Sequence, residues 1–393
     1  MQKGKGMKIL YASAMFDDKT YAELFTKEKK PMHAANKYHT LLSRGLAACG
    51  AEVNTYSALP ISRENCDRKF VKAPTRQDDG VLREYVGVLN FPVVRHGMTF
   101  MGAFFKSLFS KKGTVVLYDV LNVSLCYGAV LGGKLSGKKC IGIVTDLPQF
   151  MPVAQNKGFL KINKKLIDLA DGYVFLTREM HVAVNPKNKP HVVLEGHVDA
   201  DMVSKEHKPF SDEKKKVLYA GSLKTIYGIK NLCEAFAACS KENEELHIYG
   251  DGDYVPEMRE LIKTHANIIY HGNRPNGEVV EDELESTLLV NPRPTEGEYT
   301  KFSFPSKTLE YMVSGTPVLS ARLQGIPSEY DDYLYYFDDK DPDGLKKSLR
   351  EILDKPTSEI AERGARSRDF ALSNKSNVSQ AKRIIDLIGD FGR

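Results

Sequence analysis

Lys307 and Glu310 are the residues whose types and spacing most directly suggest chemistry. They lie in the stretch from Phe302 to Val318, FSFPSKTLEYMVSGTPV. It reads as a loop turning through Pro305 and Ser306 into a short helix. Ser306 is the expected N-cap, and Gly315 with Pro317 stops the helix before a strand at Val318. Lys307 then sits beside open N-terminal amides, which favour an anion. Glu310, three positions later, shares its face. A cation with open amides can grip a diphosphate, and a carboxylate can accept hydrogen bonds from a ribose. Together they predict a sugar-nucleotide site. The bland alternative is a surface ion pair worth about 0.3 kcal/mol.

Other segments carry weaker signals. Gly221 to Gly228 leaves a strand end and enters a helix, where small residues let backbone approach a phosphate and Lys224 adds charge. Steric need alone explains such glycines equally well. Gly250-Asp251-Gly252 reads first as a tight turn. Asp146, after the strand Ile141–Val144, could orient or deprotonate an acceptor hydroxyl, or simply cap the next segment. Asp119, after Val115–Tyr118, is a second candidate of that kind. The histidines are dispersed, and no His/Asp/Glu cluster has metal-ligand spacing, so no obligatory metal and no cofactor are expected. Residues 100–112 (FMGAFFKSLFSKK from Phe100) mix bulky apolar side chains with lysines. They suit either a membrane interface or a core helix with a solvated basic end.

The elements that must hold these residues repeat one grammar. Apolar strands alternate with amphipathic helices in both halves, the pattern of parallel α/β sheets. Strands are expected at Lys8–Ala12, Glu52–Tyr56, Val115–Tyr118, Cys140–Val144, Gly172–Leu176 and His191–Leu194, with a helix over residues 33–49. The pattern lapses into polar residues around Asp199 to Lys214, the expected linker. It restarts with strands at Lys216–Ala220, Leu246–Tyr249, Asn267–His271, Thr287–Val290 and Val318–Ser320. The predicted organisation is two Rossmann-like, doubly wound domains facing a cleft: residues 1–205 for the acceptor and 206–375 for the nucleotide sugar. Residues 376–393 form a C-terminal helix that could pack back on the first domain.

The 393 residues suffice for two such domains, and 42% hydrophobic with 27% charged residues is a globular composition. No apolar run is long enough to span a bilayer, and no signal-peptide region is visible. Six scattered cysteines form no C-x-x-C pair, which points to a reducing, cytoplasmic setting. The net charge of +5 is unevenly spread: residues 1–200 carry 29 Lys and Arg against 17 Asp and Glu, and the remainder 27 against 34. A basic first half suits an anionic surface or a phosphate-bearing acceptor, or is uneven solubility charge. The basic residues are not interleaved with aromatics, so a nucleic-acid partner is not expected.

The second half resembles the donor domain of GT-B glycosyltransferases, in particular the large retaining family 4. The marks are Tyr219-Ala220-Gly221, Gly228, Ile248 to Gly252, His271-Gly272-Asn273-Arg274-Pro275, and Phe304-Pro305 through Leu309-Glu310-Tyr311-Met312 to Gly315-Thr316-Pro317-Val318. The resemblance extends more loosely to Ala170–Thr177 and Glu195–Asp199. It implies a glycosyltransferase using a nucleotide sugar, UDP by frequency, and a glycan or lipid-linked acceptor in cell-surface polysaccharide synthesis. Retention of configuration would follow, on the inner face of the plasma membrane. The family's two glutamates would fall at Phe302 and Glu310, so the first is missing; Glu296 or Glu298 could replace it. Its phosphate-binding Arg and Lys would fall at Ser222 and Tyr227, both changed. Lys307 is the expected replacement, aided by Lys301 or Lys224. Gly221, Ser222, Tyr227, Gly250, Asn273, Arg274, Ser306 and Thr308 complete the expected donor contacts. A sugar-nucleotide epimerase and a two-domain small-molecule binding protein are the rival readings.

Overall fold

The computed structural model describes residues 4–25, 27, 34–151, 155–204, 207 and 213–391. Two compact units emerge, one from Met1–His197 with Asn377–Arg393 and one from Val198–Ser376. The chain enters and leaves the second unit side by side, where the Val198 N–H donates to the Lys375 carbonyl at 2.9 Å. Within the expected linker, Ala200–Ser204 form a short 3-10 turn; residues 205, 206 and 208–212 lie outside the described residues. The helix Asn377–Asp390 belongs to the first unit and packs on the helix Ala34–Ala48.

The first unit contributes strands β1 (Lys8–Ser13), β2 (Glu52–Ser57), β3 (Phe70–Val71), β4 (Arg76–Asp78), β5 (Val81–Tyr85), β6 (Val88–Leu89), β7 (Thr114–Asp119), β8 (Cys140–Val144), β9 (Gly172–Phe175) and β10 (His191–Val193). Eight of them form one sheet in the order β10-β9-β8-β7-β1-β2-β5-β4, parallel except for β4 against β5. β3 and β6 pair separately as an antiparallel ribbon. The central strands β7 and β8 are buried at every position. Covered on both faces, they read as continuous apolar runs rather than alternations, which is why the sequence located them well. Strands β3 to β6, short and partly exposed, lack that signal and were not anticipated.

The second unit has six strands: β11 (Lys215–Ala220), β12 (Glu244–Tyr249), β13 (Ile268–Gly272), β14 (Leu288–Asn291), β15 (Val318–Ala321) and β16 (Tyr335–Phe337). Their order is β13-β12-β11-β14-β15-β16, all parallel. Val217, Leu246, Ile248, Leu288, Val290 and Leu319 are buried at its centre. Strand order reverses between β11 and β14 here, and between β1 and β7 in the first unit. Loops leaving such neighbours diverge to opposite faces and open a crevice at the strands' carboxyl ends. No helix among the described residues is long and apolar enough to cross a membrane.

Candidate active site

The switch point of the second unit is built from the loops that follow β11 and β14. After Ala220 the chain runs through a 3-10 turn, Thr225–Tyr227, to Gly228, which opens the helix Ile229–Cys239. Gly228 has φ +81°, and a Cβ there would lie 2.0 Å from the Pro292 carbonyl oxygen. Only glycine permits both, so the helix start is pressed against the residue that follows β14. The Asp253 carboxylate accepts from the Thr225 N–H at 2.7 Å and its hydroxyl at 3.0 Å, pinning the turn. Those bonds hold Asp253 below the usual carboxylate range.

The helix Ser306–Ser314 is fixed to both strands. Its Tyr311 hydroxyl donates to the Ala220 carbonyl (3.1 Å) and accepts from the Ala220 N–H (2.8 Å). Asn291, the last residue of β14, donates to the Thr308 hydroxyl at 3.3 Å. Gly315 ends the helix in the left-handed conformation expected of it. The start differs from expectation. Pro305, in an extended conformation, is the N-cap, Ser306 is the first helical residue, and no side chain caps the turn. The Thr308 N–H closes on the Pro305 carbonyl. Thr308 is fully buried, and both its amide and its hydroxyl bond within the fold.

Lys307 and Glu310 do meet, with Lys307 Nζ 3.0 Å from a Glu310 carboxylate oxygen. A second carboxylate, from buried Glu283, lies 4.0 Å from the same ammonium. Burial alone would push Lys307 down; Glu310 and then Glu283 more than offset it and hold its pKa above the ordinary lysine value. One ammonium between two carboxylates is already neutralised. Lys307 thus holds Glu310 in place, and its charge is balanced within this group. Glu283 sits in the last turn of the helix Asn276–Leu284, and nothing in its local sequence signals this role.

Arg293 is placed differently. It lies two residues beyond β14, its guanidinium 5.5 Å from the Tyr227 ring and 5.0 Å from the Tyr299 ring. Among the described residues it has no carboxylate partner, and its buried Nε has no hydrogen-bond acceptor. A guanidinium held between two tyrosines, adjacent to the uncapped start of the helix Ile229–Cys239, is an arrangement that an anion completes. Sequence reading overlooked it. The available signal was an arginine between Pro292 and Pro294, directly after an apolar strand.

The remaining expected donor residues divide. Ser222 and Lys224 are exposed on the β11 loop, and Tyr227 forms the wall under Arg293. Gly221 and Gly250 pack on one another, since a Cβ on Gly250 would lie 1.8 Å from the Gly221 carbonyl oxygen. Asn273 and Arg274 follow β13 in exposed positions, and Arg274 Nε turns back to the His271 carbonyl at 3.2 Å. Lys301 is exposed in the 3-10 turn Glu298–Phe302; Glu296 and Glu298 are exposed nearby, and Phe302 is half-buried.

In the first unit, Asp119 ends β7 but is buried. Its carboxylate accepts from the Leu121 N–H (3.0 Å) and the Ser13 hydroxyl (3.4 Å), and lies 3.5 Å from His39 Nε2. His39 Nδ1 is 2.6 Å from the Tyr11 hydroxyl. The chain is satisfied with Nε2 protonated toward Asp119 and Tyr11 donating to Nδ1. Asp119 is thus held by buried partners at the switch point. Asp146 is exposed on the bend after β8. A cavity of about 180 Å³ opens instead beside the ends of β1 and β2, lined by Arg95, His96, Thr99, Asn122 and Ser124 among apolar residues. His96 Nδ1 is 3.0 Å from the Ser124 hydroxyl. Burial, then Arg95, holds His96 below its ordinary pKa.

Residues 214–355 match the family model of glycosyl transferases group 1. The second unit is a group 1 glycosyltransferase domain. Solved structures of the GT-B fold extend over both units of this chain. Sucrose-phosphate synthase from Thermosynechococcus elongatus superposes with a TM-score of 0.67 at 14% identity, over 98% of this chain and 99% of that one. Anabaena HepE in complex with UDP gives 0.66 at 12% identity, over 98% and 100%. The lipopolysaccharide outer core galactosyltransferase WaaB, in its apo form, gives 0.63 at 16% identity, over 98% and 100%. Among curated proteins, none matches this chain significantly. The family match falls on the unit that carries Arg293, Lys307 and Glu310, and leaves the first unit outside it.

Proposed function

We propose that the enzyme transfers a sugar from a UDP-sugar to a hydroxyl of a glycan or lipid-linked acceptor, at the cytoplasmic face of a membrane, with retention and without a metal. The observation that carries this reading is the Arg293 guanidinium, flanked by two tyrosines and without a carboxylate partner among the described residues, at the switch point of the group 1 domain. Arg293 and the open amides of Ser306 and Lys307 would hold the diphosphate. Glu310, held by Lys307, would accept the ribose hydroxyls. The bond between the anomeric carbon and the diphosphate oxygen breaks, and one to the acceptor oxygen forms. The acceptor's proton passes to the departing phosphate. Arg293 stabilises charge that grows in that step, so its effect is greater in the transition state than in the bound donor. Uridine is favoured because the similar HepE was solved with UDP. The cavity lined by His96 and Ser124 is the acceptor pocket of this reading, with neutral His96 able to accept a hydroxyl hydrogen bond.

Thermal unfolding with UDP, GDP, ADP and TDP tests it. UDP near 100 times its dissociation constant should stabilise the protein by about 2.7 kcal/mol, and Arg293→Met should abolish most of that. If no nucleotide raises the midpoint, or Arg293→Met responds like wild type, the reading fails.

A further inference from the structure

The helix Pro92–Leu108 has two apolar faces, and the fold uses one. Thr99, Ala103 and Ser107 are buried on the used face. The helix lies so close to the helix Val123–Leu135 that a Cβ on Gly128 or Gly132 would come within 2.2 Å of the Phe100 or Phe104 carbonyl oxygen. The opposite face carries Val94, Met101, Phe105 and, just past the helix end, Phe109, with half-buried Met98 between. Those steps of seven and four place them in one stripe. Their exposure runs from 45% at Val94 to 78% at Phe109. The Phe105 and Phe109 rings stack with centroids 6.0 Å apart. The stripe reaches the β3–β6 ribbon, where the Leu89 N–H lies 3.4 Å from Met98 Sδ and the cross-strand partners Phe70 and Leu89 are both exposed.

The charge around this face is mainly basic, although Lys106 pairs with Glu84 and Lys111 with Glu52. Between Glu84 and Asp119 the chain contains no Asp or Glu, but it contains Arg95, Lys106, Lys111 and Lys112. Lys111 and Lys112 are exposed immediately beyond Phe109. A recess of about 390 Å³ beside Phe109 is lined by Lys8, Lys106 and Lys111, with Glu52 as its one acidic residue. Soluble proteins rarely leave so large an apolar patch uncovered without a partner. A partner that is itself apolar below and negative above matches both features. We infer that this face of the first unit docks on an anionic phospholipid bilayer, with Met101, Phe105 and Phe109 in the interface and the lysines on lipid phosphates. The inference does not depend on the transfer reaction, though it would bring a lipid-linked acceptor and the enzyme to one surface.

Co-sedimentation of the full chain with vesicles tests it. Phosphatidylcholine vesicles containing about 30% phosphatidylglycerol should pellet the protein, and pure phosphatidylcholine should do so at least about tenfold more weakly. Raising salt from about 50 to about 300 mM should weaken the anionic binding several-fold. The triple substitution Met101→Ser, Phe105→Ser, Phe109→Ser should cost at least about tenfold, and Lys111→Glu with Lys112→Glu a similar factor. All five positions are exposed, and the unliganded thermal midpoint reports folding, so the result stands whether or not UDP binds. Wild type left in the supernatant, or a triple variant that pellets normally, overturns the proposal. A dimer abolished by the triple substitution, without vesicle binding, also overturns it and assigns the face to a second copy.

Discussion

The two units are built alike and end differently. Each is a mainly parallel sheet whose strand order reverses once, and in each a tyrosine hydroxyl is hydrogen-bonded near the reversal. In the first unit the polar groups there satisfy one another: Tyr11, His39, Ser13 and Asp119 form a closed, buried chain. In the second, Tyr311 ties down the backbone, Lys307 and Glu310 neutralise each other, and Arg293 has no anion among the described residues. Arg293 is half-buried, and leaving its buried Nε without an acceptor costs stability. Retaining such a group at a switch point is what a unit that must grip a diphosphate would require. The same topology therefore yields a structural closure in one place and, in the proposed reading, a binding site in the other.

Breaking the site should have the largest effect. Arg293→Met is expected to lower kcat/KM for the donor by about 10³, or roughly 4 kcal/mol, with Arg293→Lys recovering part of it; steady-state kinetics with a UDP-sugar measures both. Glu310→Ala should weaken UDP binding by about 100-fold, read by calorimetry, since it removes a charged hydrogen-bond acceptor. Breaking the closed counterpart should look different. Asp119→Ala should destabilise the fold by about 2 kcal/mol in urea unfolding, by leaving the Leu121 N–H and its neighbours unsatisfied, with UDP affinity unchanged.

Two smaller effects sharpen the contrast. Lys307→Met should weaken UDP binding only about tenfold, and adding it to Glu310→Ala should cost almost nothing more. A full additional loss would mean that Lys307 contacts the diphosphate itself. His96→Gln should raise acceptor KM by about tenfold while leaving UDP binding alone. Because His96 is held below its ordinary value near pH 6.5, it stays neutral through pH 7. Acceptor KM should then be flat above pH 7 and rise only as pH falls through the lowered pKa; a change centred above pH 7 would contradict the assignment.

The doubled α/β pattern, the buried central strands, Gly228, the Gly315 stop and the Lys307–Glu310 pairing were legible because each depends on neighbours in sequence. Periodicity, a left-handed glycine and an i,i+3 contact are local facts. The β3–β6 ribbon and β16 were missed because short, half-exposed strands carry no such signature. The N-cap assignment missed by one residue, since Pro305 and Ser306 both satisfy the local rules and packing chose between them.

The amino-acid order alone settled where the long, buried strands fall, and that a carboxylate and an ammonium would share a helix face near a strand end. Only the folded chain decided which charge was left to spend. Glu283 arrives from a helix more than twenty residues upstream to occupy Lys307. Arg293 is flanked by Tyr227 and Tyr299, brought from two separate loops. Electrostatic pairing depends on distance in space, and distances between segments are fixed by packing.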